Sequence, residues 1–179
     1  MTAVEIVALH VSGVHAYEGR PADGPRPDPD GGGRDRIEVR AGHGAVGDRY
    51  AGRAAHRTAA ITVFAVEALE HVARVLDLAA VPDPLLVRRT IVLRGVDVDA
   101  LARTRTRPGA AFSLDSGDGP VRLQAHRPAN PCAWMDVVLA PGAFRALRGL
   151  GGVRCEPLSD GVLRRGPAVL AVDPRPDRP

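Results

Sequence analysis

Lysine is absent from this sequence, and all 24 of its Lys and Arg residues are arginine. Schiff-base chemistry, a lysine-bound pyridoxal phosphate and a Walker-type phosphate loop each require a lysine amine, so these three classes of enzyme are excluded. Arginine is permanently charged and its planar fork matches two oxygen atoms of a phosphate or carboxylate at once. The composition therefore favours anion recognition, with a coding bias toward arginine as the alternative explanation.

Aromatic residues, net charge and long apolar runs are also scarce. The chain has three Phe, two Tyr and one Trp, and 21 acidic residues reduce its formal net charge to +3. Nucleic acids require stacking platforms or a dense basic surface, so we expect no nucleic-acid partner. No apolar stretch reaches the roughly 18 residues of a membrane-spanning helix, so we expect no membrane partner either.

Cysteine occurs only as Cys132 and Cys155. The first dozen residues contain Glu5 but no arginine, which is typical of a first strand and not of a signal peptide. A cytoplasmic protein with two free thiols is therefore expected. The cysteines are far apart and no CxxC or HxxxH pairing accompanies them, so no zinc site is predicted.

The length of 179 residues corresponds to one domain. We predict a single domain over residues 1–172, in which residues 19–35 form a mobile loop because their Gly, Pro, Asp and Arg leave almost nothing to bury. Residues 173–179 have the same composition and are predicted to be a disordered tail.

Short apolar runs between turn residues predict a mainly β fold, a barrel or a sandwich. The predicted strands cover residues 4–11, 37–41, 60–64, 90–94, 110–115, 120–126, 153–157 and 168–172. A hairpin turn is predicted at residues 116–119 and a second reversal at 159–161. Helical spacing of apolar residues predicts one helix through residues 69–76, and a second, shorter helix is expected from Pro141 to just before Gly149.

Cys132 is the strongest candidate for a functional residue. It lies between Pro131 and Trp134 in a segment of loop character, directly after a predicted strand. A ligand can reach a thiol on such a loop, and a guanidinium such as that of Arg127 favours the reactive thiolate. The alternative is a buried cysteine that acts as a small apolar residue. For Cys155, in a strand-like alternation, a core position is the preferred interpretation.

Several arginines are candidates for anion binding. Arg88 and Arg89 stand at the start of a predicted strand, where adjacent side chains point in opposite directions, so one is expected to reach a pocket and the other solvent or a carboxylate. Together with Arg49 and Arg127 they can clamp a phosphate. The alternative is that they are solvated or paired with nearby acids.

A glycine-rich segment, GHGAVGDRYAG, indicates close backbone approach or unusual dihedral angles. Its spacing does not match the dinucleotide-binding fingerprint. His43 lies in it, and His56 and His126 follow; each is a candidate base or ligand, but the sequence does not show which of them converge.

Five blocks follow one another along the chain: VGDRYAG, ITVFAVEALEHV, RRTIVLRGVDVDAL, RPGAAF and RPANPCAWMD. In this order they resemble the MOSC domain, named for the C-terminal domain of molybdenum cofactor sulfurases, and indicate a small stand-alone member of bacterial type. The resemblance covers residues 4–172. Tyr50 stands where His is common and Thr90 where Asn is usual, while Cys132 occupies the position of the family cysteine.

The resemblance implies a MOSC-type β-barrel with one or two short to medium helices, and a pocket for the molybdenum cofactor. Cys132 would be the catalytic residue and the metal ligand. The cofactor would be bound by Asp48, Arg49, Arg88, Arg89, Thr90 and Arg127. The implied activity is a two-electron reduction of N-hydroxylated compounds with an external electron donor. The alternative is a persulfide carrier in which Cys132 receives sulfur from a cysteine desulfurase.

Overall fold

The computed structural model describes residues 1–174, so most of the predicted tail, residues 175–179, lies outside the described residues. Eleven strands are found in this part of the chain: β1 (Thr2–His10), β2 (Gly33–Arg34), β3 (Arg36–Arg40), β4 (Gly44–Ala45), β5 (Ile61–Ala65), β6 (Ile91–Arg94), β7 (Ala111–Asp115), β8 (Val121–Pro128), β9 (Val153–Pro157), β10 (Gly161–Arg164) and β11 (Gly166–Val172). The α-helices are α1 (Glu67–Val75), α2 (Trp134–Val138) and α3 (Ala143–Ala146). Short 3-10 turns cover Pro21–Asp23, Ala54–Ala59, Pro84–Val87 and Asp99–Leu101.

Seven strands close into a barrel in the order β11-β7-β8-β9-β5-β6-β1, with β1 pairing back to β11. The β5–β6 pair is parallel and the other barrel pairs are antiparallel. Strand β2 extends the sheet beyond β1, and β10, β3 and β4 form a separate three-stranded sheet. The prediction of a mainly β barrel with few helices is confirmed.

Alternation along the strands fills the barrel with apolar side chains. Phe112 and Leu114 of β7, Leu123 of β8 and Cys155 of β9 are all buried in one cluster, as the period of two requires. A second cluster lies outside the barrel wall, where the apolar face of α1 packs with Trp134 and neighbouring residues. The helices therefore cover one side of the barrel.

The eight predicted strands are all present, with ends displaced by a few residues at most. The hairpin at 116–119 joins β7 to β8, and both predicted helices occur as α1 and α3. Strands β2, β4 and β10 and helix α2 were not predicted. Strands β2 and β4 have two residues each, too few for an alternation, and α2 is a five-residue helix next to two prolines.

The segment 19–35 contains the Pro21–Asp23 turn and all of strand β2. Its Asp28 side chain is only 9% exposed and contacts Arg88 and Ser12, so part of this segment packs against the body. Its mobility stays a prediction.

Asp173, at the start of the predicted tail, donates its backbone N–H to the carbonyl oxygen of Ala111 and accepts a hydrogen bond from Arg122. Across residues 1–174, none of the helices has the length and apolar character to cross a bilayer.

Candidate functional site

A cavity of about 310 Å³ lies beside β5 and β9, next to the segment that joins β8 to α2. Thr62 of β5 and Arg154 of β9 pair in register and both line it. Their strand neighbours Val63, Val153 and Cys155 are buried in the barrel core. Because side chains alternate along a strand, Thr62 and Arg154 face outward, so the cavity lies outside the barrel wall.

Cys132 is exposed and lines the cavity from the segment between β8 and α2. Its thiol is therefore open to a ligand in the cavity. Cys155 is fully buried in the barrel core, as predicted, and burial raises the pKa of its thiol. Of the two thiols, Cys132 alone is placed for chemistry in this cavity.

Five arginines line the same cavity as Cys132: Arg49, Arg88, Arg89, Arg127 and Arg154. Four were identified from the sequence, and the structure brings them together from the β4–β5 connection, the residues before β6, and β8. Within residues 1–174, Arg88 is the member of this set that pairs with a carboxylate. The other four guanidinium groups have no acidic partner there, which makes the cavity cationic.

Arg89 is bonded to the segment that bears Cys132. Its Nη2 donates to the carbonyl oxygen of Ala129 at 2.8 Å, and its Nε is buried without a hydrogen-bond partner. Burial, reinforced by the charge of Arg154, lowers the pKa of Arg89 to about 10, while a negative charge on Cys132 opposes this. Arg89 thus stays protonated at neutral pH and lies within electrostatic reach of the thiol.

Arg88 is held by Asp28. Its Nη1 donates to Asp28 Oδ2 at 2.8 Å, its Nη2 donates to the carbonyl oxygen of Val14, and the side chains of Arg88 and Asp28 are 8% and 9% exposed. Partial burial raises the pKa of Asp28, but hydrogen bonds from Ser12 and Arg88 outweigh it and keep that pKa below its ordinary value. The ion pair is therefore formed at neutral pH.

The expectation that one of Arg88 and Arg89 reaches a pocket and the other a carboxylate holds in part, because Arg88 meets the carboxylate of Asp28 but both arginines line the cavity. Arg88 precedes β6 and adopts a left-handed conformation, with φ 50° and ψ 42°, at the end of the Pro84–Val87 turn. The alternation of a strand does not apply to such a residue. The left-handed residue allows two consecutive guanidinium groups to reach one cavity.

Aromatic side chains complete the lining. Tyr17 stacks on Trp134 with ring centroids 5.3 Å apart, and Tyr50 lies 4.5 Å from the ring of His56. The guanidinium of Arg49 lies 4.5 Å above the Tyr50 ring. Burial raises the pKa of Tyr17 to about 12, so this phenol is protonated at neutral pH. These flat surfaces can contact a planar ligand between the charged groups.

Two predicted site residues do not line the cavity among the residues described. Asp48 accepts a hydrogen bond from the backbone N–H of Tyr50 at 2.9 Å. Thr90 is buried, and its backbone N–H and hydroxyl bond with Thr62. Both therefore support residues of the lining, Tyr50 and Thr62, and their own contact with a ligand stays a prediction.

Of the three candidate histidines, His56 lines the cavity, whereas His43 and His126 do not. His126 lies 3.6 Å from Glu156 through its Nε2. His15, Tyr17 and Arg154 also line the cavity and are not predicted from the sequence. Arg154 was one arginine among 24, and only the pairing of β9 with β5 and β8 shows its place.

The closed seven-strand barrel has a MOSC-like fold. The YuaD protein of Bacillus subtilis superimposes with a TM-score of 0.71 at 15% identity, covering 97% of both chains. YiiM of Geobacillus stearothermophilus has a TM-score of 0.63 at 16% identity, over 96% of this chain and 76% of its own. YiiM of Escherichia coli has a TM-score of 0.60 at 15% identity, over 99% of this chain and 72% of its own. At such identities the likeness concerns the fold.

No family model matches the sequence. No curated protein matches it either.

Proposed function

We propose that this chain is a MOSC-family protein that binds the molybdenum cofactor in the arginine-lined cavity, with Cys132 as the metal ligand. The MOSC-like fold and the five sequence blocks support the family. The observation on which the proposal depends is the convergence of an exposed thiol with four guanidinium groups that have no carboxylate partner in the described chain.

The residues present fit such a group. The cofactor is a pterin dithiolene with a phosphate, so it requires donors for an oxyanion and a soft donor for the metal. Arg49 and Arg89 each have a buried Nε without a hydrogen-bond partner, and an anion satisfies such donors well. The cavity volume of about 310 Å³ lies at the lower end of the range for ligand pockets, roughly 300 to 1,000 Å³.

In this proposal Arg49 and Arg89 hold the phosphate, and Arg88 adds positive charge in an orientation that Asp28 fixes. When bound, the cofactor supplies two-electron redox chemistry at its metal. Arg89 also bonds to the carbonyl oxygen of Ala129, so the arginine that binds the phosphate positions the Cys132 segment as well. Tyr17 and Trp134 form a stacked wall that keeps water from one side.

The proposed reaction is the reduction of an N-hydroxylated compound in the cytoplasm. Cleavage of an N–O bond by two electrons and two protons yields the reduced amine and water. The electrons come from a separate donor protein. His56 lines the cavity beside Tyr50 and is the candidate to supply a proton to the departing oxygen.

The test is the composition of the full chain purified from a host that makes the cofactor. Molybdenum is measured by elemental mass spectrometry, and the pterin by fluorescence after oxidative release. The proposal predicts that both are present in equal amounts. Protein purified without molybdenum and without pterin would overturn it.

A second candidate function, a sulfur carrier, is favoured by the exposure of Cys132. The Cys132 thiolate would attack the terminal sulfur of a persulfide on a cysteine desulfurase. The sulfur–sulfur bond of the donor breaks, the donor cysteine leaves as a thiolate, and Cys132 becomes a persulfide without net oxidation. Intact mass after incubation with a desulfurase and cysteine would then increase by one sulfur atom. An equal increase in a Cys132→Ser variant would eliminate this function.

A further inference from the structure

Arg127 and Arg154 form a like-charged pair at the cavity. They come from neighbouring strands, within a stretch of β8–β9 where the register shifts between Ala125 and Pro128. Both line the cavity, with Arg127 exposed and Arg154 half-buried. Across residues 1–174, neither guanidinium donates a hydrogen bond or meets a carboxylate. Their charges are therefore available to a ligand.

The acid closest to Arg154 along β9 is already bonded elsewhere. Glu156 accepts a hydrogen bond from Arg57 Nε at 2.6 Å, and its other oxygen lies 3.6 Å from His126 Nε2. An internal ion pair would neutralise Arg154, but Glu156 is committed to these two partners. The positive charge is left facing the cavity.

This arrangement is unfavourable without a ligand. Like charges on adjacent strands repel each other, and burial together with the charge of Arg127 lowers the pKa of Arg154, while Tyr50 opposes this. An anion between the two guanidinium groups would offset the repulsion. The two guanidinium groups are thus already placed to bind an anion.

Arg127 and Arg154 differ from the arginines assigned to the cofactor in that they have no counter-charge. Asp28 compensates Arg88. A phosphate monoester has a charge of roughly −1.5 to −2 near neutral pH, which compensates Arg49 and Arg89. Arg127 and Arg154 then remain without a counter-charge. Arg127 also differs in exposure, because Arg127 and Cys132 are exposed, whereas the Nε atoms of Arg49 and Arg89 are buried.

We propose that Arg127 and Arg154 form a second anion subsite, beside Cys132, that binds an oxyanion group of the substrate. The substrate is therefore an acidic small molecule, with a carboxylate or a phosphate as the recognised group. This inference rests on the proposed function, because it assumes that the phosphate of the cofactor neutralises Arg49 and Arg89. The subsite itself consists only of residues of this chain, Arg127 and Arg154.

The test uses Cys132 as a reporter in the full chain purified from a host that cannot make the cofactor. Two thiol reagents, the anionic sulfonatoethyl and the cationic trimethylammonioethyl methanethiosulfonate, are compared by intact mass, each rate relative to that with free cysteine. We expect the anionic reagent to react at least about tenfold faster, as electrostatic focusing in a charged cleft predicts. Inorganic phosphate and succinate are then added separately as competitors.

The variant Arg127→Gln/Arg154→Gln is compared with Arg103→Gln/Arg105→Gln, which removes two exposed charges outside the cavity. The subsite predicts that only the first variant lowers the anionic preference and loses the slowing that arises from an anion at Arg127 and Arg154. Phosphate can also bind at Arg49 and Arg89, which hold no cofactor in this protein, so only the part of the slowing that this variant loses identifies the substrate group, as a phosphate or as a carboxylate. An unchanged preference and unchanged slowing in Arg127→Gln/Arg154→Gln would overturn the subsite.

Two controls keep the outcomes separate. Circular dichroism and the melting temperature show whether the double variant folds, and the single Arg127→Gln variant, at an exposed position, replaces it if it does not. Molybdenum and pterin content is measured separately on protein from a cofactor-producing host. Absence of the cofactor would contradict the proposed function, whereas loss of the reagent preference tests the subsite alone.

Discussion

At the scale of single residues, the Arg88–Asp28 pair shows how a remote segment determines the cavity. Asp28 belongs to the Gly- and Pro-rich segment, yet its carboxylate is nine-tenths buried against Arg88 and also accepts from Ser12. A buried charge that loses its partner is costly, because it remains desolvated without compensation. Asp28 is therefore a positioning residue for Arg88.

Replacing Asp28 by Asn should reduce the free energy of unfolding by about 3 kcal/mol, because it leaves the Arg88 guanidinium buried and uncompensated. Urea denaturation at pH 7 measures the change. The matched control is Asp30→Asn, since Asp30 is in the same segment, is 81% exposed and lies 3.9 Å from Arg34. If the two variants unfold at the same urea concentration, the Arg88–Asp28 pair does not stabilise the fold.

Residues with a local signature could be found from the sequence. The prolines around Cys132, the Arg88–Arg89 doublet and the glycines around Arg49 all mark backbone that is neither helix nor regular strand, where ligands can approach. Arg154 and His15 have no such signature. Their proximity to Cys132 depends on strand pairing and chain packing between residues distant in sequence.

At the scale of elements, the turn before β9 connects the barrel to the cavity. Gly152 has φ 82°, and its backbone N–H donates to Asp99 Oδ1 at 2.9 Å. Its carbonyl oxygen accepts from Ala129 N at 2.8 Å, and the carbonyl oxygen of Ala129 in turn accepts from Arg89. The position of Arg89 thus depends on how closely this turn approaches β5.

The variant Gly152→Ala should be strongly destabilised, because its Cβ would collide with the carbonyl oxygen of Val63. Gly149→Ala is the matched control: Gly149 has φ 81° but no atom within 4 Å of the added Cβ. The control isolates the left-handed backbone, which costs roughly 1 to 2 kcal/mol for a residue other than glycine. Thermal unfolding of both proteins measures the difference, and equal melting temperatures would rule out the steric role of Gly152.

Strands and helices with a long enough apolar periodicity could be predicted from the sequence. The predicted strands and the α1 helix have apolar alternation or helical spacing over several residues. Helix α2, directly after Cys132, has five residues and is determined by packing of Trp134 and Met135 in the cluster under α1. The left-handed conformation of Arg88 could not be predicted from the local sequence either, because non-glycine residues rarely adopt that conformation.

At the scale of the whole molecule, the cationic cavity affects stability through His10. This residue ends β1 and is 2% exposed. Burial, with the charges of Arg88 and Arg49, lowers its pKa to about 4, although Asp28 acts in the opposite direction. His10 is therefore neutral at pH 7.

Stability should decrease as the pH falls from about 6.5 toward 4, because the unfolded chain binds a proton at His10 in this range and the folded chain does not. The difference between the ordinary pKa of 6.5 and about 4 corresponds to about 3 kcal/mol. Urea denaturation between pH 7 and pH 4 measures the loss for the wild type. A His10→Gln variant should lose correspondingly less, and a loss equal to that of the wild type would contradict this role of His10.

The central claim is that Cys132 and the arginines hold two different parts of one cofactor, the metal and the phosphate. The most direct measurement is the content of molybdenum and of pterin in Cys132→Ser, Arg89→Gln and Arg105→Gln, all purified from a cofactor-producing host. We predict that Cys132→Ser loses molybdenum but retains pterin, that Arg89→Gln loses both, and that Arg105→Gln resembles the wild type. Wild-type contents of both in Cys132→Ser and Arg89→Gln would contradict the account.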